Sequence, residues 1–415
     1  MSDSPRLVLV AGGSLGDALP MVGLAKRLLA AGVDVLLAAE SSVELLARTE
    51  RVPFASLGEI PRLDDDKPVR VRPGERTGMF LTQTRRWVID PVARTAARLG
   101  ELVRDGDVIV AHPIQLAAPL VARSRGLPWL TVSPATWLFP NDERMPLYLP
   151  RPSLGRTVNR LAWRRFGRRL DQHFLRDLAR VADGLGVAAP TSVLELTASP
   201  RRTLLLTSPL FLDSRRLAPH VTATGLEACD TVRLWRGGRA LDAFLDAGDP
   251  PVVFRAPPMP VPASLREVAA ATCDRLGVRG VYLDIWATET GQDGSLFVER
   301  YAPLSVLATR CVAGVHYGGL GTSAMFAAAG RPAVILPAMM DQFESAGVFA
   351  SLGAAVRLDW HRLTPARLAA AVTRALALTD RARALGDRLS DERGLIAAAA
   401  ELAAATRLLG RVRSG

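Results

Sequence analysis

The chain has 415 residues, 49% of them hydrophobic and 22% charged, a composition that supports buried cores and excludes a disordered chain. At roughly 100 to 200 residues per domain, the length favours two domains. The formal charge is +11, yet all but two of the 52 basic residues (Lys26 and Lys67) are arginine, spread along the whole chain and not gathered into aromatic-interleaved patches. Nucleic acid is therefore not an expected partner.

Cys229, Cys273 and Cys311 are too scattered for a disulfide framework or a metal cluster; they read as small buried hydrophobes in a reducing cytoplasm. The start has neither the basic segment nor the small-residue cleavage site of a secretory signal.

In chain order, Arg6 to Ala11 is a strand-like run ending in Gly12-Gly13. Ala18 to Ala31 then repeats apolar residues at helical spacing and stops at Gly32, and Val33 to Ala39 is strand-like again. Pro61 to Gly78, with Asp64, Asp65, Asp66 and alternating arginines, reads as an exposed loop. The strand, helix, strand order recurs at Asp107–Ala111, the stretch to Arg125, and Trp129–Val132. Arg151 to Arg180 places nine arginines around Leu154, Val158, Leu161, Trp163, Phe166, Leu170, Phe174 and Leu178 at helical spacing. Its plain reading is a surface helix with a solvated basic face; the sharper one is peripheral contact of residues 151–180 with an anionic membrane or a lipophilic acceptor. Ser208 to Asp249 is irregular, as a connection between domains would be.

A second alternating series follows, with strands expected at Val252–Phe254, Val281–Ile285, Leu296–Glu299, Val312–His316, Ala333–Leu336 and Ala354–Leu358. Thr364 to Arg411 is helical by periodicity, and its Ala-rich stretch from Gly394 to Gly410, broken by Glu401 and Arg407, predicts a packed helix and not a membrane span. The fold expected is α/β, with two Rossmann-like doubly wound parallel-sheet domains. The boundaries read are residues 1–207 for the first domain, 208–249 for the linker, 250–387 for the second domain and 388–415 for a closing helix.

The strongest local signal is Val315-His316-Tyr317-Gly318-Gly319-Leu320-Gly321-Thr322-Ser323 between a strand and a helix. Glycines let the backbone approach a ligand, and the free N–H groups of the following helix start suit a diphosphate. His316 stands at the strand's carboxyl end, where doubly wound sheets bind ligands, and its imidazole has a hydrogen bond to give. Twenty residues on, Pro337-Ala338-Met339-Met340-Asp341-Gln342 opens another helix and offers a carboxylate and an amide to a polyhydroxylated ring, although Asp341 also suits an N-cap.

The segment Tyr301 to Ala346 resembles the donor-binding signature of the nucleotide-sugar-dependent glycosyltransferases of the GT-B fold that act on lipophilic natural products. Gly13-Ser14-Leu15-Gly16-Asp17-Ala18-Leu19-Pro20 is similar to the first loop and helix of their bacterial antibiotic-tailoring branch. The resemblance implies two domains facing across a cleft, with the closing helix crossing back to the first. It implies a dTDP- or UDP-sugar as co-substrate with no resident cofactor or metal, and a lipophilic small-molecule acceptor. Carried over, His316, Gly318, Gly319, Gly321 and Thr322 hold phosphate, Asp341 and Gln342 hold the sugar, Ser14 joins the donor site and Trp286 meets the base. Asp17 is the general base of an inverting displacement. His112, Trp137 and Phe139, after strands of the first domain, are candidates for the acceptor pocket. The chain departs from the family pattern at Arg255-Ala256-Pro257-Pro258-Met259, where a Gly-Ser pair is usual, and at Leu304 and Ser345.

A nicotinamide or flavin oxidoreductase fails on spacing, because counting from Gly12 puts the required second and third glycines on Ser14 and Asp17. The alternative kept is a GT-B-fold binding or helper protein that has lost donor chemistry. His173, His220 and His361 have no carboxylate or Cys at metal-ligand spacing, so no metal site is expected.

Overall fold

A computed structural model describes residues 5–12, 15–59, 76–135, 139–140, 145–146, 154–212, 217–227, 229–230, 235, 238–257, 264–338 and 341–414. The chain divides into two compact units. One runs to Cys229 and takes in the C-terminal residues from Arg393; the other runs from Asp230 to Glu392.

The first unit is built on a parallel sheet of β1 (Leu7–Val10), β2 (Val35–Ala39), β3 (Phe54–Ser56), β4 (Val108–Ala111), β5 (Trp129–Ser133), β6 (Thr203–Leu205) and β7 (Val221–Ala223). Its strand order is β3-β2-β1-β4-β5-β6-β7. The central strands are continuous apolar runs because helices cover both faces: every residue of β1 and β4 is buried. The order reverses between β1 and β4, and the ligand crevice of such sheets opens at that point, beyond the carboxyl ends of the strands.

The C-terminal helix Gly394–Ser414 completes this unit by packing on the first helix, Leu15–Ala30. The approach is close enough that a Cβ on Gly23 would meet Leu395 Cδ1 at 2.7 Å, and one on Gly394 would meet the Gly225 carbonyl oxygen at 2.1 Å. Glu227 ties the joint, accepting from the Leu395 amide (3.0 Å) and pairing with Arg27 (2.5 Å).

The second unit repeats the plan with β8 (Val252–Arg255), β9 (Gly280–Leu283), β10 (Gly291–Asp293), β11 (Leu296–Glu299), β12 (Ala313–His316), β13 (Ala333–Ile335) and β14 (Ala355–Arg357), in the order β10-β11-β9-β8-β12-β13-β14. All neighbours are parallel except β10 and β11. Here the reversal falls between β8 and β12.

Several expectations are corrected in detail. Residues 208–249 are not simply a connection, since they contribute β7 to the first sheet and the helix Arg239–Asp246 to the second unit. The strand expected over Val281–Ile285 ends at Leu283, and Ile285 is exposed. In the Arg-rich segment the helix Arg156–Leu170 buries Asn159, Trp163, Phe166, Gly167 and Leu170; Val158 and Leu161 lie on the opposite face, 43% and 56% exposed, and Leu154, just before the helix, is 51% exposed. Most of the loop expected at Pro61–Gly78 lies outside the described residues.

Candidate functional site

The second unit concentrates the donor-site candidates at its reversal point. His316 ends β12, and its Nδ1 accepts the Gly318 N–H at 3.1 Å, so Nε2 is the protonated nitrogen of the neutral ring. That Nε2 is buried and has no hydrogen-bond partner among the described residues. Burial first, and the charge of Arg255 second, push the imidazole pKa down to about 3. The ring is therefore a fixed neutral donor across the working pH range. Phe326 supports it from below, stacked at 5.4 Å and 2°. Phe326 reaches this position because residue 314 is glycine, whose Cβ would meet the Phe326 ring at 2.6 Å.

Beyond His316 the chain turns through Gly318, at φ +92°, into the helix Leu320–Ala328. Glycine is needed at 318 for the dihedral and for space: a Cβ there would meet Ile335 Cγ2 at 2.7 Å and the Gln342 carbonyl oxygen at 3.1 Å. Gly319 occupies the N-cap and provides no side-chain cap. The Ser323 amide makes the first bond back into the helix, to the Gly319 carbonyl (2.9 Å), so the amides of Leu320, Gly321 and Thr322 precede the ladder. Gly321 has open space where a Cβ would stand, and Thr322 is buried.

Asp341 and Gln342 follow β13 and open the helix Gln342–Ser351 beside this turn. Asp341 holds the N-cap position, but its carboxylate does not bond the helix amides, so capping is not its role. Gln342 Oε1 accepts the Ala338 N–H at 2.9 Å. Trp286, past the end of β9, is 47% exposed, and its backbone amide is held by Asp284 (2.9 Å).

In the first unit Asp17 lies in the first turn of the first helix, beside the β1/β4 reversal. His112 follows β4 and is only 2% exposed; its Nε2 lies 3.9 Å from Asp17 Oδ1. Burial lowers the His112 pKa and Asp17 partly opposes that. His112, a candidate for the acceptor pocket, sits beside Asp17, a juxtaposition created when β4 pairs with β1. Gln115 donates to the Ala11 carbonyl (2.8 Å), filling the space where Gly12 has no side chain. Phe139 is half-buried beyond β5, while Ser14 and Trp137 lie outside the described residues. Among the described residues no group of three or more His, Cys, Asp or Glu side chains could hold a metal ion, and no helix is long and apolar enough to cross a membrane. Cys273 and Cys311 are buried, which raises both thiols to about 12.

The chain is similar to known proteins over most of its length. The family described as erythromycin biosynthesis protein CIII-like, C-terminal domain, matches residues 294–406. Two proteins of Amycolatopsis orientalis, the glycosyltransferase GtfE and vancomycin aglycone glucosyltransferase, are each 29% identical to the chain, over 91% of it and 92% of themselves. Among solved structures, the glycotransferase of kitacinnamycin has a TM-score of 0.77 at 20% identity, covering 96% of this chain and 98% of its own. The Streptomyces sp. SF2575 glycosyltransferase SsfS6 complexed with thymidine diphosphate scores 0.62 at 20% identity, covering 96% and 99%. The class is that of glycosyltransferases with the two-domain GT-B fold. Within it, this chain is an enzyme similar to the glycosyltransferases of antibiotic biosynthesis.

Proposed function

We propose that the protein transfers a sugar from a dTDP- or UDP-sugar to a hydroxyl of a lipophilic natural product, with inversion. The observation that carries this is the buried, unpartnered Nε2–H of His316 at the head of an uncapped helix, a set of neutral and dipolar donors matched to a diphosphate. Asp341 and Gln342 on the adjacent strand end take the sugar hydroxyls, and Trp286 takes the base. The thymidine diphosphate held by SsfS6 and the aglycone acceptor named for the vancomycin enzyme support the same assignment.

In the reaction Asp17 accepts the proton of the acceptor hydroxyl as its oxygen attacks the anomeric carbon. The bond from that carbon to the diphosphate oxygen breaks on the opposite side, and the nucleoside diphosphate leaves with the electron pair. A single in-line displacement of this kind inverts the anomeric centre. Asp17→Asn keeps the shape of the side chain and removes the base, so turnover is expected to fall by roughly 100-fold or more while nucleotide affinity stays level. Mass spectrometry of transfer from a panel of nucleotide-sugars to lipophilic aglycones, with calorimetry of dTDP and UDP binding, tests both halves. Undiminished turnover in Asp17→Asn removes Asp17 as the base.

The exposed face of the helix Arg156–Leu170 supports a subsidiary proposal, contact with an anionic membrane surface, argued with its test below.

A further inference from the structure

Arg255 is the last residue of β8. Val315 of β12 is in register with Phe254 of β8, so the next residues, His316 and Arg255, end neighbouring strands where the sheet order reverses. Side chains alternate across a strand. Val252 and Phe254 point into one core cluster, and Val253 into the other, which also contains Phe326. Arg255 therefore shares a face with Val253, the face on which His316 stacks over Phe326.

The guanidinium of Arg255 is held over the ring of Tyr317, its Cζ 6.0 Å from the centroid, and the residue is half-buried. Among the described residues it has no carboxylate partner, although eleven other described arginines are paired with acids at distances of 2.5 to 3.1 Å. A cation at a sheet's ligand-binding reversal point, next to an unpartnered buried donor and an uncapped helix start, lacks a counterion that the ligand would bring. The chain that follows, Ala256-Pro257-Pro258, contains two residues with no N–H to give, so charge there comes from the side chain and not from backbone amides.

We propose that Arg255 binds the donor's diphosphate and stabilises it as the leaving group. This rests on the nucleotide-sugar reading above. A guanidinium is a permanent cation whose planar fork fits phosphate oxygens, whereas His316 contributes one neutral hydrogen bond and the helix start contributes dipoles. Negative charge grows on the diphosphate as the anomeric bond breaks, so a fixed cation acts more strongly in the transition state than on the bound donor.

The test is calorimetric titration of dTDP, UDP, thymidine and uridine into the native protein, Arg255→Ala and Arg255→Lys, with kcat measured alongside. Arg255→Ala is expected to weaken the preferred diphosphate by about 10- to 100-fold, the range of a lost charge-assisted bond, and to leave the nucleoside unchanged. It should also lower kcat at saturating donor, with Arg255→Lys recovering part of both losses. Arg255→Lys keeps the charge and the stem, and so carries the test if the alanine variant does not fold. Equal diphosphate affinity in a variant with native melting temperature overturns the assignment, as does an equal loss for nucleoside and diphosphate. If the native protein binds neither diphosphate, it is the nucleotide-sugar reading that fails, and this inference with it.

Discussion

His316 and His112 are the two buried histidines, and their protonation couples folding to pH. Both pKa values lie below the unfolded value near 6.5, that of His316 at about 3. Above pH 6.5 the rings are neutral in both states and add nothing to the pH dependence. As the pH falls from about 6.5 toward 3, the unfolded chain takes a proton that folded His316 refuses, so stability declines by up to about 1.4 kcal/mol per pH unit, and His112 acts in the same direction. His316→Gln is expected to flatten the fall in urea stability between pH 6 and pH 4 relative to the native protein, a comparison made by equilibrium unfolding at several pH values. An unchanged slope means that the ring is already charged in the folded protein. The same neutrality has a functional side: diphosphate affinity should show no step near pH 6.5 that His316→Ala removes, because the ring donates through Nε2–H throughout.

At the scale of elements, the helix Arg156–Leu170 presents two different faces. Trp163, Phe166 and Leu170 point inward, and Trp163 meets Phe166 edge-on at 5.6 Å. Outward, Val158, Leu161, Arg165 and Arg168 follow one another at spacings of three, four and three and so share one face, with the exposed Leu154 just before the helix. Arg164, Arg165, Arg168 and Arg169 have no ion-pair partner among the described residues. Exposed apolar side chains beside unneutralised arginines match an anionic lipid surface, where each basic residue adds about 1 kcal/mol. Co-sedimentation with vesicles rich in phosphatidylglycerol is expected, weakening with salt and with Arg165→Glu/Arg168→Glu, and absent with phosphatidylcholine alone. Equal binding to both vesicles, or to neither, refutes the contact. The inward half of this pattern was legible in the sequence, but the outward half was not, because Leu and Val at helical spacing look the same whether a core covers them or not. The strands divided similarly. Long apolar runs such as β1, β4, β8 and β12 were readable because burial on both faces removes polar residues. β3, β6, β7 and β10 are three-residue strands near sheet margins, too short for a period to register. The glycine turn at Gly318–Gly321 announced itself through composition. The meeting of Asp17 with His112, or of Arg255 with His316, depends on strand order, which no local window contains.

For the whole molecule, the proposed donor site falls within one of the two units. A nucleoside diphosphate at the β8/β12 reversal should slow hydrogen exchange at Arg255–Ala256, across Gly318–Ser323 and around Gln342, and leave the core amides of β1 and β4 as they were. Mass-spectrometric exchange with and without dTDP or UDP measures this, and protection centred on the first unit instead would move the donor site. The docking of Gly394–Ser414 on Leu15–Ala30 has a consequence for how the chain is made. The second unit ends at Glu392, so every residue it uses has left the ribosome before the first unit receives its closing helix. The segment synthesised first is the last to be finished, and it must wait with the surface destined for Leu395, Ala398 and Leu402 uncovered. A premature stop after residue 392 would accordingly leave the distal half of the gene product sound and ruin the half encoded at the opposite end.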